Sequence, residues 1–207
     1  RMSARDRILG RVREALAERK QEAHPGPFGG WRSEGEDSPA VDRFIQLFEA
    51  AGGEVVRFDD DAVAAAWVRD FVSKYDAVSM GRLARGPTAV GAESPELVLK
   101  SADPADSDVG ISLAYGAVAE TGSLIMTPQD GRRAQLLPPV HVVWVEEKMI
   151  FPMLYQALST LGKDLPSAVG LHSGPSKSAD IGQILVKGVH GPGRLIAVLL
   201  ADKRNST

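Results

Sequence analysis

The sequence contains no cysteine, and this absence excludes several kinds of chemistry from the chain. Disulfides, thiolate nucleophiles and cysteine-ligated zinc or iron–sulfur sites all require that side chain. Aromatic residues are also scarce, at 6%, and no apolar run reaches the roughly 20 residues that a membrane-spanning helix needs. We therefore expect no membrane span, and a redox role would require a partner protein to carry the iron–sulfur centre.

An excess of positive charge is missing as well. The 24 lysine and arginine residues are outnumbered by 27 acidic residues, which gives a net charge of −3. The basic residues are spread along the chain, so the sequence does not predict a nucleic-acid-binding surface. The first residues also lack the apolar core of a secretory signal, and we expect a cytoplasmic protein.

The sequence predicts an N-terminal segment, residues 1–37, followed by one α/β domain, residues 38–207. The segment begins with a predicted helix over residues 3–20, in which Ser3 and Asp6 approximate a capping box. A stretch rich in proline and glycine then predicts a linker. Hydrophobic residues make up 43% of the 207 residues, which is enough for a sizeable core in the domain.

Helical and strand patterns alternate through the domain, and this alternation predicts an α/β fold. Residues 140–145 (Val-His-Val-Val-Trp-Val) form the clearest buried strand, because central parallel strands are nearly continuous β-branched runs. Further strands are predicted at 54–58, 76–80, 96–100, 109–111, 116–126, 168–172 and 195–200, and helices at 38–51, 60–74, 152–161 and 179–186. The expected architecture is a mixed, mostly parallel sheet flanked by helices.

Glu120 lies in a turn-like segment, Ala-Glu-Thr-Gly-Ser, directly before an apolar strand. A carboxylate next to glycine can approach a ligand closely and act as a base, a nucleophile or a hydrogen-bond acceptor. We therefore assign Glu120 as a candidate catalytic residue, with Thr121 and Gly122 as candidate ligand contacts. The alternative is a turn carboxylate that accepts hydrogen bonds from backbone N–H groups.

A second polar segment, Ser-Gly-Pro-Ser-Lys-Ser-Ala-Asp, begins at Ser173 and precedes the helix predicted at 179–186. Hydroxyl and N–H groups at a helix N-terminus, together with a lysine, can bind an anion. The predicted ligand contacts are Ser173, Gly174, Ser176, Lys177 and Ser178, and Asp180 is a candidate catalytic acid. The alternative is an ordinary helix cap formed by Ser178 and Asp180.

His190 lies in a third turn, Gly-Val-His-Gly-Pro, before the last strand. Histidine transfers protons near neutral pH, and Asp180 could orient its ring as in a catalytic dyad. We assign His190 as a candidate catalytic residue, although a histidine that only fixes the turn fits the pattern equally. Because ligands bind where strands feed loops at one edge of an α/β sheet, the three segments predict one composite site.

Two further positions are chemically suggestive. Arg132 can clamp a carboxylate or phosphate, whereas the adjacent pair Arg132 and Arg133 also fits a solvated surface. His141 lies inside an apolar run and is interpreted as a core or strand-end histidine. No metal site is expected, because no His-x-His or Glu-x-x-His spacing occurs.

At these segments the chain resembles the LUD domain family, closest to its lactate-utilisation protein C branch. Four motifs in the same order carry the resemblance, which covers about residues 40–200. They are residues 119–123, 136–141 (Leu-Leu-Pro-Pro-Val-His), 173–181 and 188–192.

The resemblance implies a fold related to ribose-5-phosphate isomerase, glucosamine-phosphate deaminase and CoA-transferases. It also implies a role in oxidising L-lactate to pyruvate beside iron–sulfur partner proteins. This chain would be the member without a cofactor of its own, and a small carboxylate or phosphate is a plausible ligand. Two alternatives stay open. One is a free-standing enzyme, isomerase-like or CoA-transferase-like, for a phosphorylated or CoA-linked small acid. The other is a scaffold whose loops only hold the fold together.

Overall fold

The structure, a computed structural model, describes residues 3–17, 39–82, 102–162, 165–179 and 185–201. The chain divides into two compact units, residues 1–35 and 36–207. The strand predicted at 96–100 and most of the predicted linker lie outside the described residues. None of the described helices is both long and apolar enough to cross a membrane.

The first unit contains helix α1, Ala4–Ala17. Ser3 and Asp6 form the predicted reciprocal cap, because Asp6 Oδ2 accepts from Ser3 N–H at 3.3 Å and Asp6 N–H donates to Ser3 Oγ at 3.2 Å. The side chains of Ile8, Val12 and Leu16 in this helix are exposed.

The second unit is built from alternating helices and strands. Its helices are α2 (Ala40–Ala50), α3 (Asp61–Ser73), α4 (Arg132–Leu136) and α5 (Leu154–Thr160). Its strands are β1 (Glu54–Phe58), β2 (Val78–Met80), β3 (Val109–Leu113), β4 (Gly116–Val118), β5 (Ser123–Met126), β6 (Val140–Glu146), β7 (Ile150–Phe151), β8 (Gly170–His172), β9 (Lys177–Ala179), β10 (Leu185–Lys187) and β11 (Arg194–Leu200). Single-turn 3-10 helices occur at Pro104–Asp106, Pro128–Asp130 and Glu147–Met149.

The central sheet has the strand order β1-β11-β6-β3-β2, and every pairing in it is parallel. A smaller sheet, β7-β4-β5-β8, contains one parallel and two antiparallel pairings. The expectation of a mostly parallel sheet flanked by helices is confirmed. The stretch 116–126 is a hairpin, β4 and β5, and Glu120 lies in its turn.

The two faces of the central sheet bury different partners. On one face, α3 packs Val68 and Val72 against residues such as Ile111 and Trp144. On the other face, α2 and the smaller sheet cover the sheet, and Phe44 and Phe48 of α2 stack at 5.3 Å. His141 and Ser112 lie on this second side of their strands, because they share the strand alternation of Val143.

One predicted helix is wrong. Residues 179–186 were expected to be helical, but Ala179 ends β9 and β10 begins at Leu185, and the two strands pair antiparallel. Lys177 and Ser178 therefore belong to strand β9. The polar residues that resembled a helix cap also suit the turns and strand ends of a hairpin. Asp180 lies outside the described residues.

Candidate functional site

The structure gives Glu120 a backbone partner. Its Oε1 accepts from Leu154 N–H at 2.9 Å, and Glu120 N–H donates to Pro152 O at 3.1 Å. Leu154 is the first residue of α5, where N–H groups have no partner within the helix. Glu120 therefore joins the β4–β5 turn to α5, and a catalytic role for this half-buried carboxylate stays a prediction.

Hydroxyl groups from two predicted segments meet next to this turn. Ser123 Oγ donates to Thr121 Oγ1 at 2.7 Å, and Ser123 and Ser173 share a hydrogen bond of 2.6 Å between their Oγ atoms. Pairing of β5 with β8 brings the segments together, since Leu124 lies opposite His172. Thr121 and Ser173 are thus neighbours, as a composite site requires.

The same two segments pack closely against the C-terminal end of α2. A Cβ at Gly122 (φ +57°) would lie 2.6 Å from Phe48 N, and one at Gly174 (φ +128°) 2.9 Å from Ala51 O. Lys177 Nζ donates to this same Ala51 carbonyl. A lysine at this position complements the negative end of the helix dipole. Its ammonium group thus contacts protein, and binding of an anion by Lys177 stays a prediction.

The third segment joins the second through Ser176. His190 N–H donates to Ser176 Oγ at 3.4 Å, Ser176 N–H donates to Pro192 O at 2.7 Å, and Gly188 N–H donates to Ser176 O at 3.0 Å. The imidazole of His190 itself is exposed. The structure thus places all three segments side by side, whereas the proposed pairing with Asp180 lies outside the described residues.

Arg132 lies at a different place, in a cleft of about 110 Å³ between α4 and the smaller sheet. We call it the α4 cleft; its walls include Met126, Thr127, Arg132, Gln135, Val169 and His172. Arg132 makes no ion pair or side-chain hydrogen bond with any residue that the structure describes. The adjacent Arg133 is different, because it binds Asp103 with two hydrogen bonds of 2.7 and 3.2 Å.

Three contacts fix α4 and hence Arg132. The buried Asp130 carboxylate accepts from Leu113 N–H at 2.7 Å, which anchors the turn before α4 on the end of β3. Gly110 lets the helix approach the sheet, since a Cβ there would lie 2.1 Å from Ala134 O. Gln135, also buried, donates from Nε2 to Thr127 O at 2.8 Å and holds the cleft wall.

Two histidine rings lie close together at the α4 cleft. His172 lines the cleft, and the centroid of the His141 ring lies 6.2 Å from that of the His172 ring. His141 is fully buried, its Nε2 lies 3.0 Å from Ser112 Oγ, and its Nδ1 has no hydrogen-bond partner within the described chain. Burial, and secondarily the nearby His172, lower the pKa of His141 to about 3. Burial also lowers the pKa of His172.

Sequence reasoning missed His172, Gln135 and Asp130 as residues of this region. The sequence did carry a signal for a buried polar contact in this region. Ser112 and His141 interrupt apolar strand runs, and a buried polar side chain needs a hydrogen-bond partner. No group of three or more acidic, histidine or cysteine side chains arranged to bind a metal ion occurs among the described residues.

The α4 cleft lies in the part of the chain that matches a known domain model. Residues 100–200 match the LUD domain model, and this span includes β3 to β11. The chain is 38% identical over 104 residues to lactate utilization protein C of Exiguobacterium, which covers 46% of this chain and 45% of that protein. It is 37% identical over 105 residues to lactate utilization protein C 1 of Bacillus mycoides, with 47% and 45% covered. The chain thus spans about half the length of these relatives.

A solved structure supports the fold. The chain resembles the crystal structure of a DUF162 family protein from Deinococcus radiodurans with a TM-score of 0.56. The superposition covers 78% of this chain and 96% of that one, at 16% identity. The architecture is therefore shared, while the side chains of the cleft must be argued from this chain alone.

Proposed function

We propose that the protein takes part in L-lactate utilisation, because residues 100–200 match the LUD domain model. The similarity to lactate utilization protein C over about 105 residues is the observation that carries this proposal. The segment that matches the LUD domain model contains Arg132, Gln135 and His172 of the α4 cleft.

In this proposal the chain works beside iron–sulfur proteins and holds no cluster itself. Oxidation of L-lactate to pyruvate releases two electrons and two protons, which an acceptor must take up. The sequence has no cysteine to ligate a cluster. The electrons would therefore pass to clusters on the partner proteins, and this chain would contribute binding of the acid or of the partners.

Growth on L-lactate as the sole carbon source tests the proposal. Deletion of the gene should abolish growth on lactate but not on glucose, and the wild-type gene should restore it. A strain with no second lactate oxidation route is needed. Normal growth of the deleted strain on lactate would refute the proposed function.

The partnership has a separate test. The tagged protein, purified without oxygen from cells grown on lactate, should bring down proteins that contain iron and acid-labile sulfide in stoichiometric amount. Recovery of this chain free of iron and sulfide from cells that require it for growth on lactate would refute the partnership and leave the lactate role standing.

No contact among the described residues favours the alternative of a free-standing CoA-transferase-like or isomerase-like enzyme. The CoA-transferase-like form needs a loop glutamate directed at a substrate, and the isomerase-like form needs proton transfer by Glu120 or by Asp180, which lies outside the described residues. Glu120, the residue assigned to this task, instead accepts a hydrogen bond from the first N–H of α5.

A further inference from the structure

We propose that the α4 cleft binds a short carboxylate with a second oxygen on the adjacent carbon, with Arg132 holding the carboxylate and His172 the second oxygen. The choice of a three-carbon acid, lactate or pyruvate, rests on the proposed function. The chemistry of the cleft itself, an anion beside a hydrogen-bonding oxygen, is argued from its side chains.

Charge is the first argument. Arg132 is the only charged side chain among the described residues that line the cleft, and no carboxylate is among them. Its neighbour Arg133 is neutralised by Asp103, whereas Arg132 has no such partner among the described residues. A planar guanidinium binds a carboxylate through two parallel hydrogen bonds. The cleft therefore favours an anion.

Size is the second argument. The cleft offers about 110 Å³, which corresponds to roughly four water molecules at about 30 Å³ each. A three-carbon hydroxy acid has six non-hydrogen atoms and is of this size. The apolar walls formed by Met126, Leu136 and Val169 suit its methyl group.

The histidines supply the third argument. The lack of a side chain at Gly170 leaves room for the ring of His172, since a Cβ there would lie 3.0 Å from His172 Nε2. A neutral imidazole can donate to a keto oxygen or accept from a hydroxyl group. His141 packs edge-on near this ring at 6.2 Å between centroids; one of its ring nitrogens is bonded to Ser112, and the other has no hydrogen-bond partner among the described residues.

Binding to the purified chain tests the proposal, measured by calorimetry with L-lactate, pyruvate, propionate and inorganic phosphate. Propionate has the carboxylate but no second oxygen, and phosphate is an anion without a carbon chain. We expect saturable binding of lactate or pyruvate, with propionate at least about fivefold weaker and phosphate weaker still. Absence of saturable binding of both lactate and pyruvate by the folded chain would overturn the proposal, whatever the growth assay gives.

Variants locate the contacts. Arg132→Gln should weaken lactate binding at least about tenfold, because a charge-assisted pair is lost. Arg133→Gln removes the same charge one residue away and should change the dissociation constant less than about twofold. His172→Gln should reduce the preference for lactate over propionate. Equal weakening by the two arginine variants would indicate nonspecific attraction and overturn the assignment of Arg132.

The binding and growth experiments separate the two proposals. Binding that depends on Arg132, in a protein not needed for growth on lactate, would refute the proposed function and keep the cleft as a carboxylate site. The opposite result is a gene that is required for growth on lactate, an Arg132→Gln copy that restores normal growth, and no measurable lactate binding by the wild-type chain. That result would refute the cleft as a carboxylate site and keep the proposed function.

Discussion

The rings of His141 and His172 lie 6.2 Å apart, one fully buried between the two sheets and the other at the edge of the α4 cleft. His141 comes from the central sheet and His172 from the smaller sheet, so the contact forms only when the sheets are packed together. The contact between the two rings therefore depends on the tertiary fold, and its loss would indicate that the two sheets have separated.

The first prediction concerns acid stability. The pKa of His141 is lowered by burial from 6.5 to about 3. Below pH 6.5 His141 is protonated in the unfolded chain, whereas in the folded chain it stays neutral down to about pH 3. Stability should therefore fall as the pH drops through this window, by up to about 1.4 kcal/mol per pH unit from this residue.

Urea unfolding at pH 7.0, 6.0 and 5.0 measures this effect. His141→Gln should be less stable at pH 7, because the amide fills less of the buried space than the ring does, yet show a shallower decline with acid than the wild type. His190→Gln removes an exposed imidazole and serves as the control. Parallel decline of the wild type and His141→Gln would contradict the prediction.

The second prediction separates the two roles of Glu120. The hydrogen bond to Leu154 N–H implies that Glu120→Ala lowers the free energy of unfolding by about 1 kcal/mol, the usual effect of losing a helix cap. Glu120→Gln keeps an acceptor oxygen and should lose less. Both are measured by chemical denaturation.

Growth on lactate then decides whether Glu120 also does chemistry. If the carboxylate only caps α5, Glu120→Gln restores growth to the deleted strain as the wild type does. A folded Glu120→Gln protein that fails to restore growth would instead show that the ionisable group itself is needed, as the sequence-based assignment predicts.

Much of the fold could be predicted from the sequence because the central strands β6 and β11 are almost entirely buried apolar runs. The continuous apolar run at 140–145 and the strands at 54–58 and 195–200 correspond to β6, β1 and β11 within one residue. The helix predicted at 179–186 failed for a local reason. Ser, Lys and Asp near Gly and Pro favour helix caps and hairpin turns alike, and only pairing between β9 and β10 decides between them.

The site was harder to predict, because sequence spacing does not report which loops meet. The segments around Thr121, Ser173 and Ser176 do lie side by side, as the sequence predicted. Arg132 and His172, however, are 40 positions apart and meet only through the packing of α4 beside the smaller sheet. Nothing in the polarity of the sequence around His172 marks it as different from His190.

The third prediction concerns Lys177, which donates to Ala51 O at the end of α2. Lys177→Met should lower stability by about 0.3–1 kcal/mol at low ionic strength, and salt should reduce the difference because the group is exposed. Thermal unfolding at 20 mM and 500 mM salt checks this, because the Debye length falls from about 20 Å to about 4 Å between these salt concentrations. If Lys177 instead binds an anionic ligand, Lys177→Met would leave stability unchanged and abolish binding of phosphate.

The fourth prediction concerns Gly122, where the β4–β5 turn meets α2. Gly122→Ala forces a side chain into the left-handed region at φ +57° and places a Cβ 2.6–2.7 Å from the backbone of Leu47 and Phe48. Strain alone costs about 1–2 kcal/mol, and the clash with a helix backbone adds about 1–3 kcal/mol. Gly162 is the matched control, because its φ is +69° and a Cβ there would have no atom of the described residues within 4 Å. Gly162→Ala should therefore show the strain alone in urea unfolding. Equal losses in the two variants would mean that the turn moves away from α2 without cost, and that contact with this helix does not hold Thr121 and Ser123 in place.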